Sequence, residues 1–177
     1  MSDLKQHIRS VPDWPEEGIV FRDITTLLKD SGALQRSVDE LAEPFEDRDI
    51  DQVVAAEARG FILGPPVAMQ LDAGFIPVRK PGKLPAETIE ETYELEYGTD
   101  TLTMHRDALE PGASVLMLDD LLATGGTMAA CCRMVEKMDA EIEACAFLIE
   151  LDFLEGRQKL QDYEIVSLIH YESEDDV

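Results

Sequence analysis

Short apolar runs alternate along the chain with segments whose apolar residues recur every three or four positions. The apolar runs, which predict buried strands, cover residues 52–56, 74–79, 114–119, 143–151 and 163–169. The segments with helical periodicity cover residues 33–47, 61–71 and 126–138. Strands that are apolar along their whole length, alternating with helices, are typical of a mainly parallel sheet flanked by helices on both faces. The pattern therefore predicts an α/β fold.

One of the predicted helices contains two adjacent prolines. Pro65 and Pro66 lie in the segment 61–71, which follows a loop after the first apolar run. We expect them in the first turn of the helix, because backbone N–H groups there have no intrahelical partner.

The length and composition fit a single domain over residues 1–177. The chain has 177 residues, of which 45% are hydrophobic, and no internal repeat or Pro/Ser-rich linker divides it. Residues 1–10 lack the apolar core of a secretory signal, so we expect a cytoplasmic protein. Three cysteines without metal-ligand spacing, Cys131, Cys132 and Cys145, are predicted to be reduced core thiols.

The charge is strongly negative. Fifteen Lys and Arg residues stand against 38 Asp and Glu residues, which gives a formal net charge of −23. Such a surface repels the phosphates of nucleic acids and the head groups of anionic lipids. We therefore expect neither a nucleic-acid partner nor a membrane partner.

Residues 80–101 have no sustained apolar period. Within and just after this segment, residues 92–97 and 101–105 alternate enough to form a two-stranded antiparallel pair. The sequence thus predicts a flap beside the main sheet.

Three unusual loops follow predicted strands, at residues 57–60, 79–85 and 119–127. In open parallel sheets, ligands bind at the carboxyl ends of the strands. The fold class therefore brings all three loops to the same edge of the sheet, where we expect the functional site.

The loop in the stretch 115–127, VLMLDDLLATGGT, has the features of a phosphate site. Gly125 and Gly126 leave backbone N–H groups accessible at the start of a helix, which favours anions. No Lys follows the glycines, so this is not a Walker A loop. Asp119 and Asp120, just upstream, can accept hydrogen bonds from neighbouring sugar hydroxyls. Together the two features indicate a ribose 5-phosphate ligand.

This stretch resembles the 5-phosphoribosyl-1-pyrophosphate (PRPP) signature of the type I phosphoribosyltransferases. Segments 11–25, 57–64, 78–85 and 93–100 resemble the adenine phosphoribosyltransferase family in particular. The resemblance implies a type I phosphoribosyltransferase fold with an N-terminal hood at about residues 1–35 and a flexible flap at about 80–105. It also implies a purine salvage transferase that acts as a homodimer and converts adenine and PRPP into AMP and pyrophosphate.

The resemblance carries roles over to individual residues. It implies PRPP binding by Arg59, Arg79, Lys80, Lys83, Asp119, Asp120, Ala123, Thr124, Gly125, Gly126 and Thr127. Arg59 would hold the leaving pyrophosphate, next to a non-proline cis peptide bond expected at Ala58–Arg59. The cofactor would be Mg²⁺, bound mainly through PRPP oxygens and water, with no protein ligand named.

The base-binding residues come from the same resemblance. Phe21 would stack on adenine, and backbone groups of Val20 and Arg22 would read its edge. Glu96 would interact with the ring-nitrogen proton of the base, which makes Glu96 and Arg59 the expected catalytic residues. Tyr97 would help to close the flap.

Three other functions remain to be distinguished. A phosphoribosyltransferase for another purine would have the same PRPP residues and differ only around Phe21. A PRPP-sensing regulator would need a DNA-binding module and a basic face, against the charge of −23. A catalytically inactive binding protein is disfavoured, since Arg59, Glu96, Asp119 and Asp120 are all present.

Overall fold

A computed structural model describes residues 3–94 and 98–176. The strands are β1 (Arg9–Val11), β2 (Phe21–Asp23), β3 (Gln52–Ala56), β4 (Gly74–Val78), β5 (Thr88–Glu94), β6 (Thr99–His105), β7 (Ser114–Leu122), β8 (Glu141–Leu151) and β9 (Ile165–Tyr171). The helices are α1 (Thr25–Lys29), α2 (Ser31–Ala42), α3 (Gly60–Gln70) and α4 (Gly126–Glu136).

Five of the strands form the central sheet, in the order β4-β3-β7-β8-β9. All four pairings in it are parallel. The predicted α/β fold with a mainly parallel sheet is confirmed. The carboxyl ends of β3, β4 and β7 consequently meet at one edge, which brings the three loops together.

The two faces of the sheet carry different layers. Leu116 and Leu118 of β7 belong to a core shared with α2 and α3. Val115 and Met117 of the same strand belong to a second core, shared with α4 and with β6. Because alternate strand residues point to opposite faces, β7 is buried on both sides, and this explains its continuous apolar run.

Two antiparallel pairs lie outside the central sheet. Strands β1 and β2 pair near the N-terminus, and β5 pairs with β6 from Thr88↔His105 to Glu94↔Thr99. The second pair confirms the antiparallel strands predicted after residue 80, although β5 begins four residues earlier than expected. Arg79 bridges this pair to the central sheet through backbone hydrogen bonds to Thr103.

Several local expectations are corrected. Pro65 and Pro66 lie inside α3 rather than in its first turn, which begins at Gly60. The predicted helix 33–47 begins earlier, at Ser31, where the Asp30 side chain accepts a hydrogen bond from the N–H of Ala33 at 2.8 Å. Its α-helical part ends at Ala42, and a 3-10 turn containing Pro44 follows.

The three cysteines are free and buried, as the sequence predicts. Among the described residues, no helix combines the length and hydropathy needed to span a bilayer.

Candidate active site

A cavity of about 460 Å³ opens at the carboxyl edge of the central sheet, where β3 and β7 end. Its walls come from the loop after β3, the end of β7 and the first residues of α4. The lining residues are Glu57, Ala58, Arg59, Asp119, Asp120, Leu121, Leu122, Ala123, Thr124, Gly125, Gly126, Thr127, Met128 and Phe147. Residues from two of the three predicted loops therefore share one cavity.

The adjacent aspartates do not end their strand. β7 continues through Asp119 and Asp120 to Leu122 and remains paired with β8 over this length. Asp120 is 4% exposed, and its Oδ2 lies 2.6 Å from Nε of Arg59. Asp119 is half-buried and accepts a hydrogen bond from the N–H of Asp120 at 2.9 Å. Of the two carboxylates, that of Asp119 is therefore the more accessible from the cavity.

The two aspartates differ in how their charges are compensated. Burial, and then the charge of Asp120, raise the pKa of Asp119 well above its usual value. Burial also raises the pKa of Asp120, but the guanidinium of Arg59 opposes that effect. The site therefore stabilises the ionised form of Asp119 less than it stabilises the ionised form of Asp120. A ligand hydroxyl that donates a hydrogen bond to Asp119 would favour its ionisation.

The loop 123–127 presents a helix N-terminus to the cavity. Gly125 is the N-cap of α4, in the left-handed region at φ 77°, and no side chain caps the helix. The first N–H groups of a helix have no intrahelical acceptor, so those of α4 can bind an anion. A Cβ on Gly125 would lie 2.5 Å from the carbonyl oxygen of Gly156. Both the positive φ and this backbone contact require glycine there.

The predicted basic residues after β4 are paired with acidic side chains. Arg79 contacts Glu57 at 3.1 Å, and Glu57 also accepts the backbone N–H of Lys80. Burial favours the neutral form of Glu57, yet these donors lower its pKa. The ammonium of Lys80 binds Asp100 of β6. Lys83 is exposed, and its carbonyl lies 3.5 Å from Nη1 of Arg79.

The β5–β6 pair is attached to the start of α4. The hydroxyl of Tyr93 lies 3.1 Å from the hydroxyl of Thr127 and 3.2 Å from Asp100. Burial raises the pKa of the Tyr93 phenol, so it stays protonated at neutral pH and remains a donor. Lys80 binds the same carboxylate of Asp100, so this hydrogen-bond network links the loop after β4 to the loop 123–127.

The N-terminal strands bring an aromatic ring to the same region. The guanidinium carbon of Arg59 lies 5.3 Å from the centre of the Phe21 ring, and Trp14 packs edge-on to Phe21 at 4.4 Å. Phe21 is half-buried. An aromatic face next to the cavity can stack on a flat ligand.

The residues on either side of Phe21 contact the C-terminal segment. The N–H of Val20 donates to the carboxylate of Glu174 at 3.1 Å. Arg22 is 2% exposed, lies 4.1 Å from the centre of the Tyr171 ring, and donates to the carbonyl of Glu174 at 2.8 Å. The side chain of Arg22 therefore holds the N-terminal strands on the body of the protein.

Two predicted residues, Glu96 and Tyr97, lie outside the described residues. The non-proline cis peptide bond is at Glu57–Ala58, so the expectation at Ala58–Arg59 is wrong by one position. The residues around the site that carried no assignment from the sequence include Glu57, Tyr93 and Gly156. Glu57 and Tyr93 belong to segments 57–64 and 93–100, which carry the family resemblance, whereas the contact of Gly156 with the loop 123–127 has no sequence signal.

The sequence is similar to those of known phosphoribosyltransferases. The family described as "Phosphoribosyl transferase domain" matches residues 25–176. An adenine phosphoribosyltransferase of Rhodopirellula baltica is 56% identical over 173 residues, which cover 98% of this chain and 84% of the relative.

Solved structures agree with these sequence matches. The crystal structure of adenine phosphoribosyltransferase from Thermoanaerobacter pseudethanolicus superposes with a TM-score of 0.93 at 51% identity, covering 96% of this chain and 98% of the other. The Saccharomyces cerevisiae structure, a complex with an imino-altritol bisphosphate and adenine, gives 0.88 at 40% identity, covering 93% and 96%.

Proposed function

This chain belongs to the adenine phosphoribosyltransferase family, and we propose that it transfers the 5-phosphoribosyl group of PRPP to adenine. The products are AMP and pyrophosphate, so the reaction salvages a free purine base. The observation that carries the proposal is the cavity in which two aspartates of β7, the N-terminus of α4 and Arg59 lie together. A 5-phosphorylated, pyrophosphorylated ribose requires all three types of group.

The phosphoribosyl part of PRPP fits the end of β7. Residues Ala123 to Thr127 would bind the 5′-phosphate through the backbone N–H groups at the start of α4 and the threonine hydroxyls. Asp119 and Asp120 would accept hydrogen bonds from the 2′- and 3′-hydroxyls of the ribose. Support for this orientation comes from the chain itself, because the acidic and the anion-binding positions are only a few residues apart on one strand–helix turn.

Arg59 is the group that would act on the leaving pyrophosphate. During the reaction a ring nitrogen of adenine bonds to the anomeric carbon while the bond from that carbon to the pyrophosphate oxygen breaks. Negative charge builds up on the pyrophosphate, and a fixed guanidinium stabilises it most in the transition state. Arg79, Lys80 and Lys83 would supply further cations from the loop after β4.

Adenine would stack on Phe21 in the hood, at about residues 1–35. The N–H of Val20 already donates to Glu174, so the Val20 contribution to base recognition is its carbonyl oxygen. That assignment suits adenine, whose exocyclic amine is a donor and needs an acceptor. A 6-oxopurine would place its own acceptor against the same carbonyl, which disfavours it.

The flap, at about residues 80–105, would close over bound PRPP and exclude water from the reacting centre. Glu96 would then accept the proton that leaves the ring nitrogen of the attacking base, and Tyr97 would help to close the site. The attachment of Tyr93 to Thr127 supports this role, because it places the base of the flap beside the phosphate loop.

Mg²⁺ fits the site through the substrate rather than through a protein cage. Of the carboxylates at the cavity, Asp120 is paired with Arg59 and Glu57 with Arg79. Within the described part of the chain, one group of His, Asp and Glu side chains has metal-ligand spacing, namely Glu150, Asp152 and His170, and none of them lines the cavity. Bound Mg²⁺ would neutralise the pyrophosphate oxygens and keep several waters.

A homodimer in the cytoplasm completes the proposal. Ile62 and Met69 of α3 are 41% and 82% exposed, on a face without charged residues that also includes Pro66. An apolar face on a chain of charge −23 is a candidate contact for a second copy. Sedimentation of the wild type and of Met69→Glu tests this: a monomeric wild type would refute the dimer. The free cysteines fit a reducing compartment.

A pyrophosphate-release assay with adenine, PRPP and Mg²⁺ tests the function. Adenine should be consumed, while hypoxanthine and guanine should react hardly at all. Release with another purine instead of adenine would place the chain in the family with a different base specificity. Absence of release with every base would refute the proposed reaction.

A further inference from the structure

A short loop after β8 packs against the loop 123–127, the proposed phosphate site. Residues 152–159, here called the Gly156 loop, consist of two 3-10 turns at Asp152–Leu154 and Gly156–Lys159. A Cβ on Gly156 would lie 2.2 Å from the carbonyl oxygen of Ala123. In the other direction, a Cβ on Gly125 would lie 2.5 Å from the carbonyl oxygen of Gly156. The two loops therefore pack backbone against backbone, with no room for a side chain.

An ion pair fixes the Gly156 loop to the sheet. Arg157, the next residue, donates to Glu150 of β8 from Nε at 2.6 Å and from Nη2 at 2.7 Å. Glu150 is 3% exposed. Burial raises the pKa of Glu150, but the hydrogen bonds from Arg157 and Ser167 together with the charges of Arg157 and His170 outweigh burial, and the pKa is lowered. A bidentate pair with a buried carboxylate fixes both position and orientation.

We propose that Glu150 and Arg157 are positioning residues for the PRPP 5′-phosphate, acting through the contact of Gly156 with Ala123 and Gly125. The inference rests on the proposed function, since it takes residues 123–127 as the phosphate site. Neither side chain lines the cavity, so both act only by placing the backbone of the loop 123–127.

The contact geometry explains why a distant ion pair matters for binding. The N–H groups of the loop 123–127 must point at the phosphate oxygens with good distance and angle, and hydrogen bonds weaken steeply when these are lost. The left-handed Gly125 has no side chain to hold it in place, and α4 has no side-chain cap. The Gly156 carbonyl is what packs against Gly125, and Arg157 controls where that carbonyl lies.

The main test replaces Arg157 by Met, which keeps the stem of the side chain and removes the guanidinium. We expect the KM for PRPP to rise about tenfold or more, with the KM for adenine within about twofold of the wild type. Arg157→Lys keeps one charged donor and should restore part of the PRPP affinity. PRPP binding measured by titration calorimetry should follow the same order, independently of turnover.

Arg48 provides a control with the same bond geometry and a more exposed carboxylate, since the side chain of Glu164 is 49% exposed and that of Glu150 is 4% exposed. It forms an equally bidentate pair with Glu164, both bonds being 2.9 Å long, between segments that precede β3 and β9 at the opposite edge of the sheet. Arg48→Met should change the unfolding temperature without changing either KM. A PRPP effect of the same size in Arg48→Met would show that loss of an ion pair acts only through general stability, which would overturn the proposal.

Gly156→Ala tests the same contact without altering a charge. The added methyl must push the Ala123 carbonyl away, so we expect the same selective loss of PRPP binding. Unchanged PRPP affinity in both Arg157→Met and Gly156→Ala would overturn the proposal, as would equal losses for PRPP and adenine. A wild type that binds PRPP but releases no pyrophosphate would instead refute the proposed reaction and leave the calorimetric comparison decisive for the positioning role.

Discussion

Replacing Asp119 by Asn should make the protein more stable and the enzyme worse. The carboxyl of Asp119 is half-buried beside Asp120, and burial and that neighbouring charge raise its pKa. Asn has nearly the same shape, and its side-chain oxygen can still accept the N–H of Asp120, which Asp119 binds at 2.9 Å. The substitution therefore removes an unfavourable charge while it keeps the local hydrogen bond.

The sign of the stability change follows from proton linkage. A carboxyl whose pKa is higher in the folded protein than in the unfolded chain favours folding when it is protonated, and this stability is lost as the pH rises through the folded pKa. At neutral pH, each pH unit by which the pKa of Asp119 exceeds its unfolded value destabilises the wild type by about 1.4 kcal/mol relative to Asn. Each kcal/mol corresponds to about 2–4 °C in Tm for a domain of this size.

The functional change has the opposite sign. A hydrogen bond to a charged partner contributes about 1.5–3 kcal/mol, so losing the charged acceptor for the ribose should lower kcat/KM for PRPP by about 10-fold to 150-fold. Thermal unfolding between about pH 4 and pH 8, together with pyrophosphate release, measures both effects. The Tm advantage of Asp119→Asn should shrink as the pH falls toward the unfolded pKa of about 3.9, because only below that value is the wild-type carboxyl mostly protonated in both states.

Asp120→Asn is the matched comparison. Arg59 already compensates the charge of Asp120 at 2.6 Å, and the substitution leaves that guanidinium without its partner. The gain in Tm should therefore be smaller than for Asp119→Asn. A wild type that is more stable than Asp119→Asn at pH 7, or a difference in Tm that does not vary with pH, would refute the electrostatic reasoning.

Three further outcomes are expected. Tyr93→Phe removes the hydroxyl that joins the flap to Thr127, and should raise the KM for PRPP by about twofold to tenfold; an unchanged KM would show that this link has no role. Glu96→Gln should lower kcat more than it raises the KM for PRPP, and hydrogen exchange across residues 80–101 should slow with PRPP and Mg²⁺; full activity with equal exchange would contradict closure. Phe21→Ala should raise the KM for adenine and leave the KM for PRPP nearly unchanged, and the reverse pattern would exclude stacking on the base.

The apolar patterns predicted the central sheet because each buried strand must carry them. Strand β7 faces a core on both sides, so its apolar run identifies it without any tertiary information. The end of β7 is harder to predict, since two adjacent charged residues normally indicate the end of a buried strand. In the structure β7 continues beyond them because Arg59 compensates Asp120, and that contact comes from a residue 61 positions earlier in the chain.

The sequence motifs identified residues around the cavity but not the contacts that hold them. The sequence identifies Gly125 by its accessible backbone, whereas its position also depends on the Gly156 carbonyl, 31 residues later. The pairs of Arg79 with Glu57 and of Lys80 with Asp100 are likewise long-range, and local periodicity contains no information about them. Pro65 and Pro66 were misplaced because a helix start is a tertiary outcome as well as a local one.

These ion pairs change how the positive charge of the site should be understood. Arg59, Arg79 and Lys80 are all held by carboxylates of the protein, so a pyrophosphate that binds them must replace Asp120, Glu57 or Asp100 as the partner. The favourable energy is then a difference between two sets of ion pairs, and it is smaller than the attraction of three free cations would suggest. Each carboxylate released also lies close to the new polyanion, within a chain of charge −23. A divalent cation on the substrate offsets that repulsion, which gives Mg²⁺ an electrostatic role in binding even where the protein offers it no ligand of its own.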